Sequence, residues 1–366
     1  NTQIQDKFTF KNGQTMRNRV VLAPMTICAS EPGGYVSQAD IDFFARRSRS
    51  VGMVITGSTY VHPLGKSFAE SFSGAEDDKI EGLSRLAKAI KDQGALAIVQ
   101  LYHGGRMVLP DLIDGQPVAP SAVKAPRDYL AEPRALKNSE VEQVIEDFLS
   151  AIRRAIQSGF DGVELHGANT YLIQQFVSPH SNVRQDKWGG SLNNRLRFPK
   201  TLLKRAKQLV KEEADRPFLI GYRFSPEEIE EPGIQLYDTL QLLEQLIYHQ
   251  VDYLHISTSD VWRSSIRDSQ DSEPVIQKII RKINGRVPLI GVGQIETKQD
   301  AQRVLDAGIP LFALGKALLL DPDWAEKVVS GREAEVIRAY RDELQADLAL
   351  PTAFVEDARS YLEGKD

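Results

Sequence analysis

The chain has 366 residues, with 45 lysines and arginines against 50 aspartates and glutamates, a net charge of −5, and one cysteine. That single cysteine excludes a disulfide framework, an all-cysteine zinc site and a thiolate-held iron–sulfur cluster. The mild acidity speaks against a general nucleic-acid or anionic-membrane binder.

At ~150 residues per domain the length predicts about two domains, or one α/β barrel of ordinary size. Asn1–Phe10 is mixed and polar, with no apolar leader. The longest apolar stretch, Pro310–Leu320, is interrupted by Gly315 and Lys316 and falls short of the ~20 residues a membrane span needs. The expectation is a soluble, cytoplasmic protein with no membrane partner.

In chain order, Phe8–Met16 reads as a hairpin around the two-residue turn Asn12-Gly13, placed to plug the floor of a barrel. Val20–Pro24 is the first near-continuous apolar run, followed by a helix that Ser37 caps and that extends through Arg49. Gly52–Thr56 follows, then a helix ended by Gly94, then Leu96–Leu101. A proline-rich connection, Gly104–Asn138, leads to Ser139 and Glu142, a capping box opening Glu140–Gln157, which Gly159 ends. After Gly162–His166 comes a second long connection, Gly167–Leu192. Phe218–Arg223, Tyr253–Ser257, Pro288–Val292 and Leu311–Leu314 complete the runs, and Pro322 suits a first helical turn.

Runs that are apolar throughout belong to strands covered on both faces. Eight of them alternating with helices is the count of a (β/α)8 TIM barrel. A doubly wound sheet would carry a glycine fingerprint after its first strand; Ala23-Pro24-Met25-Thr26 is not one. We assign one domain over 1–366, with the barrel at about 17–330 and a helical tail at about 331–366. The two long connections fall on the face where barrels keep their chemistry.

The strand ends carry Thr26, Ser58, Gln100, His166, Arg223, His255, Gly293 and Gly315. A glycosidase needs two carboxylates there, and a metal hydrolase needs convergent His and Asp ligands; neither set occurs, and no metal is expected. The positions suit a planar, anionic cofactor with polar edges. His166 and Asn169 are three apart, so one helical turn would bring both to one side, where they can grip a carbonyl oxygen. Tyr171 offers a phenol for proton delivery.

The block His166-Gly-Ala-Asn169-Thr-Tyr171-Leu-Ile-Gln-Gln-Phe176-Val-Ser-Pro179, continuing through Arg184 and Trp188-Gly189-Gly190-Ser191 to Asn194-Arg195, resembles the Old Yellow Enzyme family of FMN-dependent ene reductases. Leu22-Ala-Pro24-Met25-Thr26 and Gln100-Leu-Tyr-His103-Gly-Gly105-Arg106 extend the resemblance, which runs from Phe8 to about Trp324. It implies a barrel holding FMN noncovalently across its mouth, reduced by NADH or NADPH. Ala23, Pro24 and Met25 would line the isoalloxazine. Thr26 and Ser58 would meet its O4 edge, Gln100 its pyrimidine edge, and Arg223 its N1 and O2. Gly293, Gln294, Gly315 and Lys316 would hold the phosphate, in the loops where barrels bind one. His166 and Asn169 would bind the substrate oxygen, and Tyr171 would donate the proton.

The activity implied is ping-pong hydride transfer through flavin N5 to an electron-poor alkene conjugated to a carbonyl, or to a nitro compound or quinone. Two other readings stay open: a phosphate-binding barrel of aldolase or isomerase type, and a non-catalytic flavin-binding protein. The family's usual arginine after the last strand glycine is Lys316 here, which keeps the charge without the fork. Some relatives lend an arginine across a subunit interface. No equivalent is visible after Trp324, so a homo-oligomer is left open. Arg184, Asp186 and Trp188 are expected to brace the second long loop. Cys28 reads as a buried bystander, and Trp262 and Arg263 either overhang the site or pack.

Overall fold

A computed structural model describes residues 1–365. All eight apolar runs are strands: β1 (Val20–Leu22), β2 (Met53–Ile55), β3 (Leu96–Tyr102), β4 (Gly162–Gly167), β5 (Leu219–Phe224), β6 (Tyr253–Ile256), β7 (Leu289–Val292) and β8 (Leu311–Leu314). Each pairs in parallel with its sequence neighbours, and β8 pairs with β1, so the expected (β/α)8 barrel closes. Every residue of these strands except Leu96 is buried, because helices cover the outside and side chains fill the inside.

The outer helices are α1 (Gln38–Arg47), α2 (Ile80–Asp92), α3 (Asn138–Gln157), α4 (Arg197–Glu213), α5 (Leu236–Tyr248), α6 (Val275–Ile283), α7 (Lys298–Asp306), α8 (Lys316–Leu320) and α9 (Trp324–Val329). Their apolar residues recur at helical spacing: α3 buries Val141, Val144, Ile145, Phe148 and Ile152 in one stripe. Beyond α9 the chain folds back over the barrel and ends in α10 (Thr352–Leu362). No described helix is long and apolar enough to cross a membrane.

Local details differ from the sequence reading in four places. Ser37 does cap α1, with Asp40 reciprocating, but the helix stops at Arg47. The start of α3 belongs to Lys137, whose N–H donates to Glu140 at 2.8 Å, rather than to Ser139 and Glu142. Asn138 is occupied elsewhere, accepting from Trp188 Nε1 at 2.7 Å. Pro322 sits between α8 and α9, outside both. The hairpin turn has three residues, Lys11–Gly13, closed by Phe10 N–H to Gln14 O at 2.8 Å, with Gly13 at φ +95°. That is the turn-plus-bulge solution, which needs a left-handed residue at its third position.

The hairpin does plug the floor. Phe10 and Met16 pack into one cluster with the lower inward side chains Val21, Met53, Ile98, Leu219, Tyr253, Ile290 and Leu311. Above this apolar layer the inward positions become polar: Gln100, Glu164, His166, Arg223 and His255. Register sets this row, since Gln100 pairs with Glu164, and Arg223 pairs with both His166 and His255. The chemistry therefore lies at the C-terminal mouth.

Candidate active site

At the mouth, groups from five strands join in one hydrogen-bonded chain. Ser58 N–H donates to Thr26 Oγ1 at 3.2 Å, and Ser58 Oγ donates to Gln100 Oε1 at 3.2 Å. Gln100 Nε2 then donates to Glu164 Oε2 at 2.8 Å. Glu164 Oε1 also accepts from Tyr253 OH at 3.0 Å and from His255 Nδ1 at 2.8 Å. Burial opposes charge on Glu164, but the His255 N–H and the Arg223 guanidinium outweigh it and hold the carboxyl below its ordinary range. Glu164 is thus a buried anion that orients Gln100 and faces Arg223.

Sequence reasoning missed Glu164, Tyr253 and this use of His255. A usable signal was present. Glu164 lies two residues before His166, on the same inward face of a strand whose surroundings are otherwise apolar. A charge there requires partners. Gly221 makes room for one of them: a Cβ on it would lie 2.1 Å from Tyr253 Cζ.

Arg223 is buried, yet its side chain makes no hydrogen bond and no close ion pair among the described residues, and its Nε is unpartnered. His166 is buried beside it in register. Burial first, and then the Arg223 charge, bring its pKa down to about 3, so the ring is neutral near pH 7. Its Nδ1 also lacks a partner. Tyr171 packs edge-on to His166 with ring centroids 5.0 Å apart, and to Tyr102 at 5.3 Å. Burial, with a contribution from Tyr129, raises its phenol to about 12 and keeps it protonated.

Asn169 reaches the site by a different route from the one-turn spacing argument. It and Thr170 are both left-handed, at φ +57° and +68°, and the following helix starts only at Leu172. Ser225 accepts the Asn169 N–H at 3.0 Å, and Ser257 Oγ donates to its Oδ1 at 2.7 Å. Two successive left-handed residues without glycine cost about 1 kcal/mol or more each, and such strain persists where the surroundings over-determine it. The amide nitrogen has no acceptor among the described residues, so its hydrogens remain available.

The remaining predicted positions surround this row. Ala23 N–H donates to Leu314 O at 3.0 Å, which carries Pro24 and Met25 past the end of β8. Met25 Sδ would be the nearest atom, at 3.9 Å, to a Cβ on Gly315, so the two face one open space. Gly293 and Gln294 are both left-handed, at φ +118° and +53°. A Cβ on Gly293 would lie 2.7 Å from Thr258 O. Lys316 opens α8.

The two long loops lock together. Leu172 N–H donates to His103 O at 2.8 Å, and Gln175 Nε2 donates to Gly104 O at 3.1 Å. Arg184 pairs with Asp186 at 2.6 Å, as expected of a brace. Trp262 packs under Arg303, whose guanidinium carbon lies 4.4 Å from its ring centroid, which favours the packing role for that residue. Cys28 is half-buried rather than buried as expected, and the burial it has raises its thiol. A cavity of about 1020 Å³ opens at the opposite end, by the hairpin; two of its charged residues, Lys207 and Asp252, are paired with each other at 2.8 Å.

A buried guanidinium without an acceptor, unpartnered donors on adjacent strands and two strand-end loops suited to a phosphate fit a flavin mononucleotide. Fold and site together define a flavin-dependent oxidoreductase barrel. The profile of the NADH:flavin oxidoreductase / NADH oxidase family matches residues 6–335, and the chain belongs to that family.

Among its relatives, the NADH:fumarate oxidoreductase of Klebsiella pneumoniae is 47% identical over 340 residues, covering 92% of this chain and 37% of that protein. The probable NADH-dependent flavin oxidoreductase YqiG of Bacillus subtilis is 44% identical, covering 90% of this chain and 89% of the other. The NADH:acrylate oxidoreductase of Vibrio harveyi is also far longer, this chain spanning 36% of it. Of solved structures, the old yellow enzyme homologue of Zymomonas mobilis superposes with TM-score 0.78 at 27% identity, covering 90% of this chain and 93% of that one. Morphinone reductase in complex with tetrahydroNAD gives TM-score 0.77 at 26% identity, covering 91% and 92%.

Proposed function

We propose that the chain is an NAD(P)H-dependent, FMN-containing reductase of alkenes conjugated to a carbonyl or carboxylate. The observation that carries this reading is the row of buried Arg223 and neutral His166 on paired strands, with Tyr171 against the histidine. FMN, when bound, supplies hydride acceptance from the nicotinamide and hydride return to the alkene. Ala23, Pro24 and Met25 line its ring. Thr26, Ser58 and Gln100 meet its polar edges, and Arg223 offsets negative charge there. Gly293, Gln294, Gly315 and Lys316 hold the phosphate.

The chain's own groups then act on the substrate. His166 donates as a neutral imidazole, and Asn169 donates from the Nδ2 that Ser257 leaves free. Together they stabilise the negative charge that builds on the substrate oxygen during reduction. Tyr171 holds a proton on its phenol oxygen for the α-carbon, and a pKa of about 12 means the proton is present across the working range. Fumarate and acrylate, named for two relatives, are both alkenes conjugated to a carboxylate, which supports this acceptor class.

Those relatives are also far longer than this chain, which favours a second reading in which a barrel of this kind takes electrons from NADH and passes them to another protein unit. Stopped-flow measurement separates the two. Tyr171→Phe is expected to leave flavin bleaching by NADH within about 3-fold and to slow flavin reoxidation by an enone by ~10²-fold or more. Equal effects on both half-reactions would reject the proton-donor role. A wild-type flavin that NADH bleaches and no activated alkene reoxidises would favour the electron-relay reading.

A further inference from the structure

The family profile ends at residue 335, but the chain beyond it lies against both loops assigned to the phosphate. On the loop after β7, Glu296 O accepts from Arg338 Nη1 at 2.6 Å and from Trp324 Nε1 at 2.8 Å. On the loop after β8, Lys316 Nζ lies 4.7 Å from the centroid of the Tyr361 ring. Tyr361 belongs to α10, which is anchored next door: Leu362 is fully buried, and its carbonyl accepts from Tyr340 N–H at 3.0 Å.

Lysine at this position has a specific weakness. Its ammonium is a point charge on a flexible stem, without the planar fork with which an arginine would fix itself against a phosphate. An aromatic face corrects this. It attracts the cation and narrows its range of positions without offering a strong hydrogen-bond acceptor, so the ammonium N–H donors stay free for an oxyanion.

We propose that Tyr361 is a positioning residue for the FMN phosphate, holding the Lys316 ammonium in place, so that the C-terminal tail forms part of the cofactor site. This rests on the reading of Lys316 as a phosphate ligand. The tail then tightens phosphate binding through one loop's cation, while Arg338 braces the backbone of the other.

Riboflavin, which lacks the phosphate, supplies the control. Dissociation constants for FMN and riboflavin are measured by flavin fluorescence on deflavinated protein, and FMN release is timed from the holoenzyme. Tyr361→Ala is expected to weaken FMN about 3- to 30-fold, to speed its release in proportion, and to change riboflavin less than about 2-fold. Tyr361→Phe retains the aromatic face and should match wild type. Lys316→Ala should weaken FMN at least as much, and the double variant should be no weaker than Lys316→Ala alone, because Tyr361 acts through that lysine.

Unchanged FMN binding in Tyr361→Ala, with a loss in Lys316→Ala, would overturn the role of Tyr361 and leave the phosphate assignment standing. An equal loss for riboflavin in Tyr361→Ala would overturn it too, marking a general effect of tail docking. No FMN loss in Lys316→Ala would overturn the phosphate assignment and the inference together.

Discussion

Glu164→Gln tests whether the buried carboxylate organises the mouth. The substitution preserves shape and removes one charge. Three donors lose an ionised acceptor: Gln100 Nε2 at 2.8 Å, His255 Nδ1 at 2.8 Å and Tyr253 OH at 3.0 Å. A hydrogen bond to a charged group is worth about 1.5–3 kcal/mol against about 0.5–1.5 for a neutral one, so three such losses sum to about 3 kcal/mol. The new amide NH2 also meets donors on both sides. At about 2.1 cal/mol/K per residue, 366 residues give an unfolding entropy of about 0.8 kcal/mol/K, so Tm should fall about 4 °C. The flavin should respond as well. Arg223 loses the negative charge it faces, so the guanidinium favours added negative charge on a bound flavin more strongly. The midpoint potential should therefore rise. Differential scanning calorimetry and a redox titration read the two effects. Tyr253→Phe, which removes one of the three bonds, should lower Tm by about half as much and is the milder check if Glu164→Gln folds poorly. A Glu164→Gln protein with wild-type Tm and wild-type potential would refute the assignment of Glu164 as organiser.

Two further outcomes follow from other groups. Burial lowers His103 and His166 to about 3, well below the ~6.5 of an unfolded chain. The unfolded state therefore binds more protons between those values, so the stability these two contribute is present above pH ~6.5 and lost as pH falls toward 3. Between pH 7 and 5 each costs about 2 kcal/mol, so Tm should drop by about 5 °C, and a flat Tm over that range would contradict neutral burial of both rings. Gly221→Ala should be strongly destabilising, by about 3 kcal/mol, because the added methyl would lie 2.1 Å from Tyr253 Cζ and push its hydroxyl off Glu164. A wild-type unfolding midpoint in urea would show that the ring moves freely.

The sequence by itself carried the barrel and the identities at its mouth. A strand buried on both faces must be apolar along its length, so all eight strands stood out without reference to their partners. Strand ends are local features too, so Thr26, Ser58, Gln100, His166 and Arg223 could be placed from order alone. Helix and turn details were less legible, because Lys137 and Ser139 compete for one cap, and the bond from the Lys137 N–H to Glu140 that marks the outcome is a matter of local geometry. The tertiary structure alone decided which groups meet. Glu164 binds Gln100 from 64 residues away and His255 from 91, because parallel register and barrel closure bring one inward row together. Asn169 is held by serines on β5 and β6 loops in a backbone region that no spacing rule predicts. Tyr361 reaches Lys316 only because the tail folds back against α1 and α8. Periodicity records whether a residue faces inward or outward; the neighbours it finds there depend on where distant segments come to rest.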